Sequence, residues 1–223
     1  GRLVLSAADR RMTPAPYSAS ILLVAWRAAD TIVAAIDGAL AQTTPCEIIV
    51  SDDASPDDTY DVARRHVEGY AGPHRVVVRR SETNRGLGKH LSELMAMASG
   101  DVFVIMAGDD IARPRRVERA VAAFSENPDV YIVGSAVDEI DMQGRPLRQG
   151  VRHMPAAFGL DYFLYAGKLA TLLGATIAIR REVFDCFGPL VAGAEDNILS
   201  LRAAVLGRGL CLDEDTEPEM SED

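Results

Sequence analysis

Two short apolar runs in this chain end abruptly in paired carboxylates, and no other feature restricts the fold as much. Glu47–Val50, EIIV, runs straight into Ser51-Asp52-Asp53; Val102–Met106, behind Gly100, gives way to small residues and then to Asp109-Asp110. A short, uninterrupted apolar run reads as a strand buried on both faces, the kind found in parallel sheets. Ligands of open α/β sheets bind beyond the carboxyl ends of the strands, which is where these acids fall. A single acid pair there has an ordinary alternative, capping the next helix or sitting solvated in a loop. Two pairs at one edge are harder to explain that way.

Around these runs the chain alternates strand and helix. Ser20–Ala25 reads as a first buried strand, and Asp30 stands where it caps a helix with Ile32, Ile36 and Leu40 on one face. Ser55-Pro56-Asp57-Asp58 has the form of a helix start, a cap followed by a first-turn proline and an acid, and that helix runs to about Tyr70. Arg75–Arg80 predicts a third strand. The loop Asn84-Arg85-Gly86-Leu87-Gly88 opens a helix with Leu91, Leu94, Met95 and Ala98 inward. Pro114 starts another with Val117, Val121 and Phe124 on one face, Val130–Gly134 is a strand, and Val137–Leu147 reads as a hairpin around Gln143-Gly144. This order implies a mostly parallel sheet flanked by helices. Beyond it come a helix near Phe158–Ala166, an extended run Ala175–Arg180, a short helix near Glu182–Phe187 and a last clear helix Glu195–Leu206.

At 223 residues the chain reads as an N-terminal extension or linker over 1–19, a domain over 20–212 and an acidic tail over 213–223 expected to be disordered or solvated. A net charge of −10 argues against a nucleic-acid partner but leaves room for a nucleotide whose charge a metal neutralises. Cys46, Cys186 and Cys211 are widely spaced with no CxxC pair, which favours reduced thiols and a cytoplasmic protein, with peripheral attachment to the inner face of a membrane left open. No apolar run approaches the ~18 residues of a membrane span, and the N-terminus lacks a signal-peptide pattern. A first residue of Gly rather than Met reads as a piece of a longer protein.

Leu40-Ala41-Gln42-Thr43 and EIIVSDDASPDDT, then Asn84-Arg85-Gly86, then GDVFVIMAGDD, then Gly174–Gly207 with Arg180-Arg181, Phe184, Gly188, Glu195-Asp196 and Arg202, form an ordered set. In that order, from Ser20 to Gly207, the chain resembles family 2 glycosyltransferases of the GT-A fold. The resemblance implies a Rossmann-like, mostly parallel sheet flanked by helices that binds a nucleotide sugar at the strand C-terminal edge. It also implies an inverting glycosyltransferase of the kind that builds cell-envelope polysaccharide. Such an enzyme moves sugar from a UDP- or dTDP-sugar to a glycan, lipid or other hydroxyl acceptor.

Carried over residue by residue, the resemblance points to Asp53, with Asp52 beside it, as acceptor for the imide N–H of uracil or thymine. Val24 and Trp26 stand at the family's P-x-Y-N positions, where Trp26 stacks on or walls the base. Asp110 becomes the ligand of Mn²⁺ or Mg²⁺, and Asp109 its partner toward the ribose or the metal; such hard cations take carboxylate and phosphate oxygens together. The ion makes the nucleoside diphosphate a better leaving group. Arg85 reaches the nucleotide or, equally, faces solvent. Asp196 becomes the base that takes the acceptor's proton, with Glu195 its neighbour or substitute; the alternative is that both acids favour a helix N-terminus.

The chain departs from the family pattern at Val24-Ala25-Trp26-Arg27 and at Ala107, which stands where an acid often precedes the pair. Those departures keep a second class of function open, a GT-A domain impaired in catalysis that serves as a binding or scaffold module of a larger protein. A phospho-acceptor receiver domain also places acids at strand ends but leaves everything after Phe124 unexplained. His66, His74, His90 and His153 lie apart without ligand spacing and are expected at the surface or in loops. Met95, Met97 and Met106 are expected as core fillers.

Overall fold

Along Ala19–Ala25 the side chains alternate between two hydrophobic cores, which is why this strand, β1, carries no polar face. Ile21 and Leu23 join one core; Leu22 and Val24 join the other. In the computed structural model, residues 17–141, 144–152, 154–166, 172–190 and 193–213 are described. After β1 come α1 (Ile32–Leu40), β2 (Glu47–Asp52), α2 (Thr59–Val67), β3 (Arg75–Arg80), α3 (Leu87–Met97), β4 (Val102–Ala107), α4 (Arg116–Glu126) and β5 (Val130–Ser135). The remainder is the hairpin β6 (Val137–Ile140) and β7 (Pro146–Val151), then β8 (Ala157–Phe158), α5 (Leu160–Ala166), β9 (Ala178–Arg180), α6 (Arg181–Phe187), α7 (Glu195–Leu206) and β10 (Arg208–Leu212).

Eight strands form one sheet in the order β3-β2-β1-β4-β9-β5-β10-β8. The pairs β3–β2, β2–β1, β1–β4 and β5–β10 are parallel, whereas β9 runs antiparallel between β4 and β5. Helices α1, α2 and α4 bury Ile32, Ile36, Ala63, Val117 and Phe124 on one face of the sheet; α3, α6 and α7 bury Leu91, Leu94, Val183 and Leu199 on the other. This is the helix-flanked, mostly parallel sheet that the strand–helix alternation implies. The chain reverses its direction of travel across the sheet between β1 and β4, and such a switch point opens a crevice at the strand ends.

Several local expectations are corrected. Residues 208–212 form a strand that the sequence reading leaves out, since RGLCL has neither alternation nor a continuous apolar run. His90 is buried on α3 rather than at the surface or in a loop, His74 lies in the loop before β3 as expected but is buried there, and Met97 is half exposed. His90 stands one helical turn before Leu94, in the same inward stripe of α3. Tyr17 and Ser18 are already part of the body, Tyr17 meeting Phe124 edge-on at 6.4 Å and Ser18 bonding Asp101 at 2.6 Å. Residues 1–16, Gln143, His153 and the acidic tail from 214 lie outside the described residues. No helix among the described residues is long and apolar enough to cross a membrane.

Candidate active site

Three successive backbone N–H groups after β1 are captured by the segment that follows β2. Arg27 donates to Ser55 Oγ at 2.9 Å, Ala28 to Thr59 Oγ1 at 2.8 Å, and Ala29 to the Asp57 carboxylate. Ser55 is held in turn by Asp52, which accepts its hydroxyl and its N–H and also meets Arg80 Nε at 3.1 Å. Ser55 is therefore no helix cap; α2 starts at Thr59 with Asp58 before it. Asp30 caps nothing either, because Thr31 precedes α1 and donates its hydroxyl to the Gly108 carbonyl at 2.8 Å. The clamp stabilises two strained residues, Arg27 (φ 54°) and Ala54 (φ 55°). A left-handed conformation costs a residue with a Cβ about 1–3 kcal/mol, an amount two or three such hydrogen bonds offset at ~1 kcal/mol each.

Between the ends of β1, β2 and β4 lies a first cleft of about 670 Å³, walled by Val24, Trp26, Arg27, Asp53 and Asp109 among others. Asp53 is 3% exposed and accepts the backbone N–H groups of Arg85 and Gly86, both at 2.9 Å, so it ties the glycine loop to the sheet edge. A carboxylate has lone pairs beyond the two used here. His90 lines the same cleft, shares a 2.6 Å hydrogen bond with Ser51 Oγ and holds Nδ1 4.0 Å from Asp53. Burial pushes its pKa down against the pull of Asp53, which favours a neutral ring.

Gly108 brings the end of β4 against the turn after β1, where a Cβ would stand 3.0 Å from that of Ala25. Beyond it Asp109 is exposed, and Asp110 is half-buried beside the largely buried Arg116. Burial first, and the charge of Asp109 second, raise the Asp110 pKa, with Arg116 opposing. Burial lowers Arg116 to about 10, and its guanidinium donates to the Ile105 carbonyl at 2.6 Å. Asp110 opens onto a second cleft of about 520 Å³, which Asp109 also lines together with Ser135, Asp138, Leu173 and Thr176. Asp109 therefore stands in the wall between the two clefts.

Among the described residues no three His, Cys, Asp or Glu side chains gather into a metal cage. The pair nevertheless fits a Mg²⁺-like or Mn²⁺-like ion, which commonly takes one or two carboxylates and completes its shell with substrate phosphates and water. Burial and the neighbouring Asp109 disfavour the ionised form of Asp110, and a cation beside the pair would favour it.

Asp196 is the second residue of α7, which starts at Glu195 directly after Ala194, a residue that is also left-handed (φ 61°). Its Oδ2 accepts the Gly174 N–H at 3.2 Å, and a Cβ on Gly174 would stand 2.6 Å from Oδ1. Burial raises its pKa, the Gly174 N–H pulls it back and Glu195 adds to the rise. The neighbours Leu173 and Ala175 line the second cleft, so Asp196 adjoins that wall without forming part of it. Glu195 accepts the Gly193 N–H at 3.3 Å at the surface.

The structure thus brings Val24, Trp26, Asp53 and Asp109 into one cleft and Asp109 and Asp110 into the next. Asp52 turns into Ser55 and Arg80, and Arg85 contributes its backbone N–H while its guanidinium meets Glu93 at 3.3 Å; neither lines a cleft. Arg27, visible in the sequence only as a departure in the pocket, lines the first cleft, whereas sequence reasoning missed His90 and the clamp made by Ser55, Asp57 and Thr59. The inward stripe of α3 is the signal that finds His90.

A family model described as glycosyl transferase family 2 matches residues 20–188. The putative glycosyltransferase EpsE of Bacillus subtilis is 29% identical over 129 residues, 56% of this chain and 46% of EpsE. The succinoglycan biosynthesis protein ExoO of Rhizobium meliloti is 34% identical over 133 residues, 58% of this chain and 36% of ExoO. The chain spans less than half the length of these curated relatives. In fold it is similar to the mannosyltransferase PcManGT from Pyrobaculum calidifontis in complex with GDP-Man and Mn²⁺, with a TM-score of 0.68 at 19% identity over 94% of this chain and 59% of that one. It is likewise similar to S. aureus TarS 1–349 in complex with UDP-GlcNAc, with a TM-score of 0.67 at 22% identity over 88% of this chain and 56% of that one.

Proposed function

The chain belongs to glycosyl transferase family 2, and we propose that it transfers sugar, with inversion, from a UDP- or dTDP-sugar to a hydroxyl of a glycan or lipid-linked acceptor. The observation that carries this reading is Asp109 in the wall shared by the two clefts. The nucleoside then lies in the first cleft, the diphosphate at Asp109-Asp110, and the sugar with its acceptor in the second. Nucleotide sugars bound to two proteins of the same fold support the donor class. Asp53, with lone pairs to spare, suits the imide N–H of uracil or thymine, and Trp26, half exposed on the same wall, suits the base's face.

Asp110, with Asp109, would hold Mn²⁺ or Mg²⁺, which supplies neutralisation of the departing diphosphate. In the transfer the acceptor oxygen bonds to the anomeric carbon as the bond to the diphosphate oxygen breaks, and the nucleoside diphosphate leaves with the electron pair. The acceptor's proton passes to Asp196, whose pKa burial raises above its ordinary value, so that it binds a proton more readily than a solvated aspartate. A binding module without turnover is the second reading; the placement of Asp196 outside both cleft walls favours it.

Donor hydrolysis decides between them, because it needs no known acceptor. Incubation with UDP-, dTDP- and GDP-sugars should release UDP or dTDP slowly with Mn²⁺ and not with EDTA. Binding without release from any donor would leave only the module, and release from GDP-sugars alone would overturn the base assignment.

A further inference from the structure

We propose that Arg27 is a donor-diphosphate ligand, a guanidinium parked on Trp26 that moves onto the phosphates when the nucleotide enters; this rests on the nucleotide-sugar reading above. Among the described residues that line the first cleft, Arg27 is the only Lys or Arg. The arginines nearby are committed elsewhere: Arg80 to Asp52, Arg85 to Glu93, Arg116 to a backbone carbonyl. The Arg27 guanidinium makes no hydrogen bond or ion pair among the described residues, and its neighbour is the Trp26 ring, 4.5 Å from Cζ to the ring centroid. Its side chain is exposed, but its backbone is not free. The N–H is fixed on Ser55 Oγ, Ser55 is fixed by Asp52, and φ is held at 54°. A strained residue at a cleft rim persists only where its surroundings over-determine it, and such strain gathers at ligand sites.

The electrostatics call for this cation. A nucleoside diphosphate brings its negative charge into a cleft that already holds Asp53 and Asp109. An ion at Asp110 serves the far end of the diphosphate, beside the second cleft. The planar fork of an arginine matches phosphate oxygens two at a time, and such charge-assisted bonds are stronger than a solvent-exposed contact with a ring face. Leaving Trp26 also uncovers that ring face, on which a base stacks well. One movement therefore supplies a phosphate ligand and clears a stacking surface.

Trp26 is the chain's single tryptophan, so its fluorescence reads the site directly. The probe is whichever of UDP, dTDP and GDP the wild type binds, compared with the corresponding nucleoside. Arg27→Met should weaken the diphosphate by about 10-fold or more, the scale of losing a charged hydrogen bond, and leave the nucleoside within about 2-fold. Arg27→Lys should fall between, keeping the charge without the fork. In wild type alone, the diphosphate should produce a larger change in Trp26 emission than in Arg27→Met. Diphosphate affinity unchanged in Arg27→Met, or a nucleoside loss of equal size, would overturn the proposal. Arg27→Ala, measured in parallel, keeps the result decisive if one variant misfolds. Binding of no nucleotide by the wild type would instead overturn the donor reading itself.

Discussion

Gln42 donates its side-chain N–H to the Arg113 carbonyl at 2.8 Å, tying the end of α1 to the loop that follows Asp109-Asp110. The same amide donates to the Gly38 carbonyl at 2.9 Å, and its oxygen accepts the Val117 N–H at the start of α4, also at 2.9 Å. Gln42 is 4% exposed, so Gln42→Ala strands buried backbone groups on two sides. The expected cost is about 2–4 kcal/mol, or a melting temperature lower by about 2–4 °C for each kcal/mol. Because the loop carries the two acids, the extra stabilisation that Mn²⁺ adds to UDP should shrink while uridine affinity holds. Melting curves with and without each ligand check both statements; a full Mn²⁺ increment in the variant would show that Gln42 does not position the acids.

Asp110 is expected to cost the metal-free protein stability. Its folded-state pKa is raised, so its contribution is full below the unfolded value and is lost as pH rises through the folded one. At pH 7 the ionised carboxylate is therefore a liability that a cation relieves. Asp110→Asn should raise the metal-free melting temperature by about 1–2 °C at pH 7, a figure discounted for partial exposure, with the gain vanishing near pH 3. The same variant should lose the difference between Mn²⁺ and EDTA in the presence of UDP. A lower melting temperature at neutral pH would contradict the charge argument.

What the sequence discloses and what it hides follow from the same physics. Strands β1, β2 and β4 are covered on both faces, so each leaves a continuous apolar run, and an acid just past such a run declares the ligand edge. Strand β10 is short and mixed; its place beside β5 depends on pairing that no local pattern records. Ser55, Asp57 and Thr59 carry the letters of a helix cap, yet their oxygens serve N–H groups of another loop, and only tertiary packing decides between the two uses. Asp52 and Asp53 are adjacent and identical, but Asp52, the last residue of β2, turns toward Ser55, whereas Asp53, one residue past the strand, lines the cleft. Arg27 was visible only as a departure, since a left-handed turn for a non-glycine residue leaves no trace in composition.

Gly174 is a steric requirement of the site. It has no left-handed φ, so a side chain there meets only the contact with Asp196, where a Cβ would lie 2.6 Å from Oδ1. Gly174→Ala should push the carboxylate aside and cost transfer up to about 10²-fold, the scale of a 1 Å misplacement. Nucleotide affinity should stay near wild type, because the first cleft is untouched. Steady-state kinetics beside a nucleotide titration separate the two; equal losses would mean that the substitution disturbs the fold rather than the base.

Asp196→Asn tests the base itself. The wild-type carboxyl is raised by burial, drawn back by the Gly174 N–H and raised again by Glu195, so it ionises above its ordinary value. A base must be ionised to accept a proton, so kcat/KM should fall as pH drops through that raised pKa and level off above it. Asn cannot take the proton but keeps the shape and can still accept the Gly174 N–H, which isolates the chemistry from the packing. Transfer should drop by about 10²–10⁴-fold, the span of a general base's contribution, and the acid limb of the profile should disappear. Donor binding should persist. Near-full turnover in this variant would move the role to Glu195, whose present bond to Gly193 at the surface would then have to break for it to reach the second cleft.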